Sequence, residues 1–154
     1  MSEDLHLLAA IANVGGDPLD LPFWRACREG RFLVHRCGVC GRSYWPASLC
    51  VQHGDRAMSW VDASGKGTLY TYTVLHHAYT PEMRGKTPYA VGVVKLKEGP
   101  FFHSNIVGCG LDEVAVGMPV EVLMSETRDL ALPMFRPDRR SAVTTGNDGT
   151  GSAL

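Results

Sequence analysis

Four residues in the first half of the chain have the types and the spacing of metal ligands. Cys37, Cys40, Cys50 and His53 form the pattern C-x2-C-x9-C-x2-H, so each pair of ligands can sit on one tight turn. Three thiolates and one imidazole complete a tetrahedron and leave no position open for water or substrate. The pattern therefore predicts a structural site, with zinc as the expected metal and iron in a rubredoxin-like site as the alternative.

Two other interpretations of these residues remain open. Cys37 and Cys40 could be a redox pair while Cys50 and His53 are unrelated loop residues, or Cys27 or water could replace His53 as the fourth ligand. The segment 37–54 favours a metal, since it is rich in Gly, Pro and Cys and too poor in aliphatic residues to pack alone.

Evidence for a catalytic centre is weak by comparison. The sequence contains no nucleophile elbow, phosphate-binding loop or HExxH motif. Cys109 is a lone thiol without a basic neighbour, which favours a buried packing role. His76 and His77 are adjacent on a predicted strand and must face opposite sides, and His103 is no better placed. The sequence predicts no catalytic residue.

The elements that position the four ligands are a short helix and a series of strands. Asp20 is the predicted N-cap of a helix of about two turns that carries Pro22 in its first turn and stops at Gly30. Residues 31–36 alternate as a strand. Five or six further strands, separated by Gly, Pro and Asp turns, indicate a mainly β protein with a small barrel or sandwich. These strands are predicted at 60–61, 68–76, 89–97, 101–107, 120–124 and 130–135, with one helical turn at 111–115.

Composition narrows the class of protein further. The chain has 154 residues, 45% of them hydrophobic, which is typical of one ordinary globular unit. Its formal net charge of -1 means that no overall positive charge attracts nucleic acid. No apolar run is long enough to cross a membrane, and acidic residues precede the N-terminal apolar stretch. Together with an odd number of cysteines, these features favour a cytoplasmic protein.

Two segments have open roles. The apolar residues of 5–11 are too few to hold a helix alone, so this segment either folds back over the barrel or docks on a partner, and docking is slightly favoured. Residues 22–42 carry a local charge of +4 from arginines. This patch could meet the phosphates of CoA, or it could be a solvated face or form salt bridges to an acidic surface of a partner.

Several motifs occur in a specific order and resemble the DUF35 family. They cover residues 20–137, and they are Pro22-Phe23-Trp24, residues 30–34, the Cys/His cluster, Trp60-Val61, residues 65–73, Pro88-Tyr89-Ala90-Val91, residues 117–120 and residues 133–137. The sequence departs from the family at His53, where a cysteine is usual. Because zinc accepts both ligands, the departure leaves the site intact and makes iron less suitable.

The resemblance implies a rubredoxin-like zinc ribbon followed by an OB-fold barrel. With the residue patterns, it divides the chain into an N-terminal extension and helix over 1–30, the ribbon over 31–58 and the barrel over 59–137. Residues 138–154 lie outside the resemblance, and their composition, with almost nothing to bury, predicts a disordered tail. The resemblance also implies a non-catalytic subunit that supports a thiolase-like partner in acyl transfer, thiolysis or retro-aldol cleavage of acyl-CoA or β-keto acyl substrates. CoA could then meet this subunit through the complex.

Two rival functions come from other classes. Ribbons and OB-folds also bind single-stranded nucleic acid, although lysines and acidic residues are mixed along residues 62–98. A stand-alone acyl-CoA binding or hydrolysing protein would need a pocket and a base that the sequence does not identify. The identity of the neighbouring gene would separate these classes, because a thiolase-like neighbour indicates the complex.

Overall fold

The computed structural model describes residues 2–13, 15–126 and 130–140. It confirms a mainly β protein with two helices, a three-stranded sheet and a closed barrel of five strands. Residues 141–154 of the predicted tail lie outside the described residues. Asp138, where the tail was predicted to begin, is buried and accepts a hydrogen bond from Lys66 Nζ at 2.9 Å. The packed part of the chain therefore extends past residue 137.

Two helices precede the strands. α1 spans Ser2–Asn13 and α2 spans Leu21–Arg28, and a 3-10 turn over Pro18–Asp20 joins them. Asp20 was predicted to cap α2 with its side chain, and this detail is wrong. Its carboxylate is buried and accepts the backbone N–H of Ala47 at 2.9 Å, which ties the start of the helix to the ribbon.

α1 folds back onto the rest of the chain. Leu7 and Ile11 are each 1% exposed and pack with Leu130, Trp24 and Leu132. Asp4 of α1 also binds Arg25 of α2, with Arg25 Nε donating at 3.0 Å. The slightly favoured expectation that this segment docks on a partner is therefore wrong for its buried face, because the amphipathic helix already covers apolar surface within the chain.

The ribbon is a three-stranded antiparallel sheet in the order β2-β1-β3. β1 spans Leu33–Cys37, β2 spans Ser43–Tyr44 and β3 spans Met58–Asp62. β3 pairs with β1 along its whole length, from Leu33 opposite Asp62 to Cys37 opposite Met58. The sequence-based boundary at residue 58 places most of β3 in the barrel, whereas here β3 pairs with the ribbon strand β1. The division into 31–58 and 59–137 stays a prediction.

The barrel has the connectivity of an OB-fold. Its strands are β4 Lys66–Leu75, β5 Tyr89–Leu96, β6 Phe101–Ile106, β7 Pro119–Glu126 and β8 Ala131–Pro137, and they close in the order β4-β5-β6-β8-β7. Every pairing is antiparallel except the one between β6 and β8. The helical turn predicted at 111–115 is a 3-10 turn over Leu111–Glu113 between β6 and β7.

One aromatic cluster joins α2, the ribbon and the barrel. Phe23 of α2 is fully buried, and its ring centroid lies 4.0 Å from that of Trp45 in the ribbon, 5.6 Å from that of Phe32 and 6.1 Å from that of Phe102 in β6. Aromatic pairs at these separations add specific attraction to the burial of apolar area. The position of the ribbon on the barrel is therefore set by a shared core.

The described part of the chain contains no helix that is both long enough and apolar enough to span a membrane.

Packing of α1 predicts a difference between two leucines on the same helix. Leu7→Ala should lower the free energy of unfolding by about 3 kcal/mol, because it leaves a cavity against Leu130 and Trp24. Leu5→Ala should change it by less than about 0.5 kcal/mol, because Leu5 is 65% exposed. Urea unfolding followed by tryptophan fluorescence measures both. Equal midpoints for the two variants would show that α1 does not pack on this chain and would restore the docking interpretation.

Candidate metal centre

The four predicted ligands come together at one end of the ribbon. The potential ligand atoms of Cys37, Cys40, Cys50 and His53 all lie within 4.8 Å of one another. His53 Nδ1 lies 3.6 Å from Cys37 Sγ and 3.5 Å from Cys50 Sγ, and Cys40 Sγ lies 3.7 Å from Cys50 Sγ. The predicted residues therefore form a single cluster, and the ring nitrogen of His53 that faces the Cys37 and Cys50 sulfurs is Nδ1.

These separations fit one tetrahedral ion. Bonds of about 2.3 Å to sulfur and about 2.0 Å to nitrogen give sulfur–sulfur edges of about 3.8 Å and sulfur–nitrogen edges of about 3.5 Å. One sulfur–sulfur contact is 3.7 Å, and two sulfur–nitrogen contacts are 3.5 and 3.6 Å. Three of the six edges therefore match a tetrahedral site, and all four donor atoms are close enough together to hold one metal ion.

Each ligand pair sits on a loop that a glycine closes. Gly41 follows Cys40 and donates its N–H to the Cys37 carbonyl at 2.8 Å, while Gly54 follows His53 and donates to the Cys50 carbonyl at 2.8 Å. Both glycines have positive φ, 72° and 67°, a conformation that other residues adopt at a cost. The spacing of a glycine four residues after Cys37 and after Cys50 is a signal that sequence reasoning missed.

The local electrostatics favour a bound cation. A backbone N–H donated by Gln52 holds the pKa of the Cys50 thiol well below its usual value, at about 5. The N–H of Arg42 also favours the thiolate of Cys40, but partial desolvation and the two neighbouring thiols outweigh it and raise the pKa of Cys40. Several thiolates this close repel one another, and a divalent cation between them removes that repulsion.

The alternative assignments of the ligands do not match the structure. Cys27 is 1% exposed and packs in the apolar core beside Phe23, where burial raises the pKa of its thiol to about 12. It is not one of the clustered residues, so its proposed role as fourth ligand is wrong. Cys50 and His53 are in contact with the other thiols, so the interpretation of them as unrelated loop residues is also wrong.

The remaining candidates do not form a second centre. Cys109 is half-buried, and burial followed by the charge of Glu113 raises the pKa of its thiol. His77 stacks on the exposed ring of Tyr79, with centroids 5.1 Å apart. His103 is exposed on β6. These residues lie on different strands and loops.

The arginine-rich stretch is engaged in contacts within the chain. Arg31 pairs with Asp62 at 2.7 Å, and Arg36 Nε donates to the Gly41 carbonyl at 3.1 Å. Arg25 pairs with α1, as described above. Acidic residues elsewhere in the chain therefore neutralise part of this stretch, which argues against a dedicated phosphate-binding surface.

The chain is similar in sequence to one family model and to several known proteins. Residues 60–124 match the sequence model of a family described as ChsH2, C-terminal OB-fold domain. The chain is similar to a DUF35 domain-containing scaffold protein of Methanocaldococcus jannaschii, with 30% identity over 116 residues that cover 73% of this chain and 82% of that protein. It is also similar to a probable enoyl-CoA hydratase alpha subunit of Thermomonospora curvata, with 36% identity over 121 residues that cover 77% of this chain. The match spans only 37% of that longer relative.

A solved structure shares both the fold and the sequence. The Ltp2-ChsH2(DUF35) aldolase contains a chain that is 32% identical and superimposes with a TM-score of 0.71 over 79% of this chain and 95% of that chain. The ordered motifs, the ribbon with its Cys/His cluster, the OB-fold barrel and the match to most of a DUF35 scaffold protein agree with one another. This chain is a member of the DUF35 family.

Proposed function

We propose that this chain is a non-catalytic zinc-ribbon and OB-fold subunit that assembles with, and supports, a thiolase-like partner acting on acyl-CoA or β-keto acyl substrates. The observation that carries this proposal is the similarity to the DUF35 chain of the Ltp2-ChsH2 aldolase over almost the whole of that chain. The relative named as a hydratase alpha subunit supports the broader statement that such chains are parts of larger assemblies.

The chemistry of this chain's own residues agrees with a non-catalytic role in the complex. Cys109 is the one cysteine outside both the metal cluster and the buried core, and its raised pKa keeps its thiol protonated near neutral pH. A protonated thiol is a poor nucleophile, and the nearby carboxylate of Glu113 accepts the Gly110 N–H at 2.6 Å. In the proposed complex, the attacking group therefore comes from the catalytic partner.

A second class of partner has a specific observation in its favour. The similarity to a probable enoyl-CoA hydratase alpha subunit points to hydration of a CoA thioester in place of acyl transfer or carbon–carbon cleavage. Both reactions use the same kind of substrate. The identity of the protein that co-purifies with this chain decides between them.

Zinc is the metal that we propose for the cluster. Cys3His is a common donor set of structural zinc sites, and imidazole in place of the fourth thiolate makes a rubredoxin-like iron site less suitable. When bound, the metal supplies folding energy by linking the two ligand loops. Cys37 and Cys50 are buried, so two of the four donor atoms would hold the ion away from solvent.

We expect one zinc ion per chain in the purified protein, measured by elemental analysis. Cys37→Ser should release the metal, and Cys50→Ala should give insoluble protein, because structural zinc contributes directly to folding. Cys109→Ser is the matched control and should keep full metal content. A folded ribbon without zinc, or unchanged metal content in Cys37→Ser, would contradict the assignment.

The chain alone should show no thiolytic, acyl-transfer, aldolase or hydratase activity, whereas a complex with the protein encoded beside it should be active. Size-exclusion chromatography of the two co-expressed proteins should show co-elution. Cys109→Ala should leave both assembly and turnover unchanged, because Cys109 takes no part in the chemistry. Loss of turnover by an intact Cys109→Ala complex would show instead that this subunit carries a catalytic thiol.

A further inference from the structure

The ribbon carries a surface cavity that the proposed function does not use. This cavity, here called the ribbon pocket, has a volume of about 490 Å³. It is lined by residues of β1, of β3, of the loop between them and of the 3-10 turn before α2, and most of their side chains are apolar or aromatic. The half-buried lining residues include His35, Met58 and Trp60, and the exposed ones include Leu19, Leu49 and Asp55.

Two rings form the floor of the ribbon pocket. His35 of β1 lies opposite Trp60 of β3, and their ring centroids are 4.8 Å apart. The N–H of Ser48 donates to Nδ1 of His35 at 3.1 Å, which ties this ring to the loop. Trp60 also packs in the shared aromatic core, with its ring centroid 6.3 Å from that of Phe23. The floor is therefore ordered before a ligand arrives, which lowers the entropy cost of binding.

Exposed apolar side chains border the ribbon pocket. Leu19 is 70% exposed and Leu49 is 62% exposed, and both line the cavity. Met58 of β3 lines it as well, and its unbranched side chain adapts to the shape of a ligand. An apolar cavity whose edge still exposes large apolar residues is typical of a surface that a protein partner covers. Such a partner would remove both leucines from water together with the cavity lining.

Carboxylates supply the charge at the ribbon pocket. Asp55 lines it, is exposed and makes no salt bridge within the residues that the structure describes. The carboxylate of Asp17 lies next to the edge, since it accepts the N–H of Leu19 at 2.8 Å. Among the described residues, no lysine or arginine lines the cavity, and Arg56 follows Asp55 in the chain without pairing with it. A cation in the ribbon pocket therefore meets a carboxylate without displacing an existing partner.

We propose that the ribbon pocket receives an arginine side chain of the catalytic partner. The aliphatic stem of that arginine packs on Met58, its planar guanidinium lies against the ring of Trp60, and its charge pairs with Asp55. One side chain therefore matches the three chemistries that line the cavity. Assigning the arginine to the catalytic partner rests on the proposed function, whereas the preference of the ribbon pocket for arginine does not.

The charge of the ribbon pocket disfavours two other occupants. The phosphates of a CoA thioester are negatively charged, so Asp17 and Asp55 repel them. An aliphatic or aromatic side chain of a partner fills the cavity but brings apolar surface against the Asp55 carboxylate, which loses water without gaining a counter-charge. An arginine avoids both costs because it combines an apolar stem with a positive charge.

Nuclear magnetic resonance of the isotope-labelled full-length chain, titrated with N-acetyl-arginine amide to about 50 mM, tests the ligand chemistry without the partner. We expect shifts in the backbone signals of Leu49 and Met58 and in the indole signal of Trp60. Asp55→Asn should weaken binding about threefold, the size of one exposed ion pair, whereas Asp112→Asn removes an exposed carboxylate of the barrel and should change nothing. No shifts at these residues, or equal binding of N-acetyl-leucine amide, would overturn the proposal.

Biolayer interferometry with the protein encoded beside this chain tests whether the catalytic partner supplies the arginine. Asp55→Lys should weaken association about tenfold or more, because it places two positive charges together, and Leu49→Ser should weaken it as well. Asp112→Lys and Val116→Ser make matched changes at exposed barrel positions and should leave the affinity unchanged.

Metal content equal to that of the unmodified chain shows that the ribbon of each variant is folded. An unchanged affinity of Asp55→Lys would overturn the assignment to the partner and leave the proposed function standing. An unmodified chain that forms no complex would overturn both.

Discussion

The ribbon contains almost no apolar core of its own, and this shortage determines how the rest of the structure is built. Between residues 38 and 59, Cys50 is the only buried residue. Burial of apolar side chains therefore cannot offset the conformational entropy of ordering this segment. Four potential ligand atoms converge in this segment, and a metal ion bound between them would link two loops that are otherwise held by a few backbone hydrogen bonds.

Several aromatic residues connect the ribbon to the rest of the chain. Trp45 packs on Phe23 of α2 and on Phe102 of the barrel, with ring centroids 4.0 and 5.0 Å away. Phe32, just before β1, also packs on Phe102, at a centroid distance of 5.2 Å. The carboxylate of Asp20, at the start of α2, accepts the N–H of Ala47. The ribbon and the barrel therefore share one core.

This arrangement suits a supporting subunit. With four protein donors, the Cys/His cluster would leave a bound metal ion no coordination site for substrate. Burial raises the pKa of the Cys27 and Cys109 thiols, which disfavours their nucleophilic thiolate forms. The exposed ribbon loops and the solvent-facing residues of the barrel strands are surfaces available for contact with other molecules. Its membership of the DUF35 family agrees with that distribution.

The sequence by itself determined the features that depend on neighbours along the chain. The paired spacing identified the four residues that cluster as potential metal ligands, the capping and stop signals identified α2, and the turn residues separated the barrel strands. Tertiary structure decided the contacts between distant residues. The Asp20 carboxylate accepts the N–H of Ala47, 27 residues away, and β3 pairs with the ribbon strand β1. α1 packs on α2, and two further long-range contacts are the ion pair of Arg31 with Asp62 and the ring contact of Tyr70 with Phe101. Local patterns encode the propensity of a segment, whereas its partner depends on which apolar and charged surfaces remain uncovered once the chain is compact.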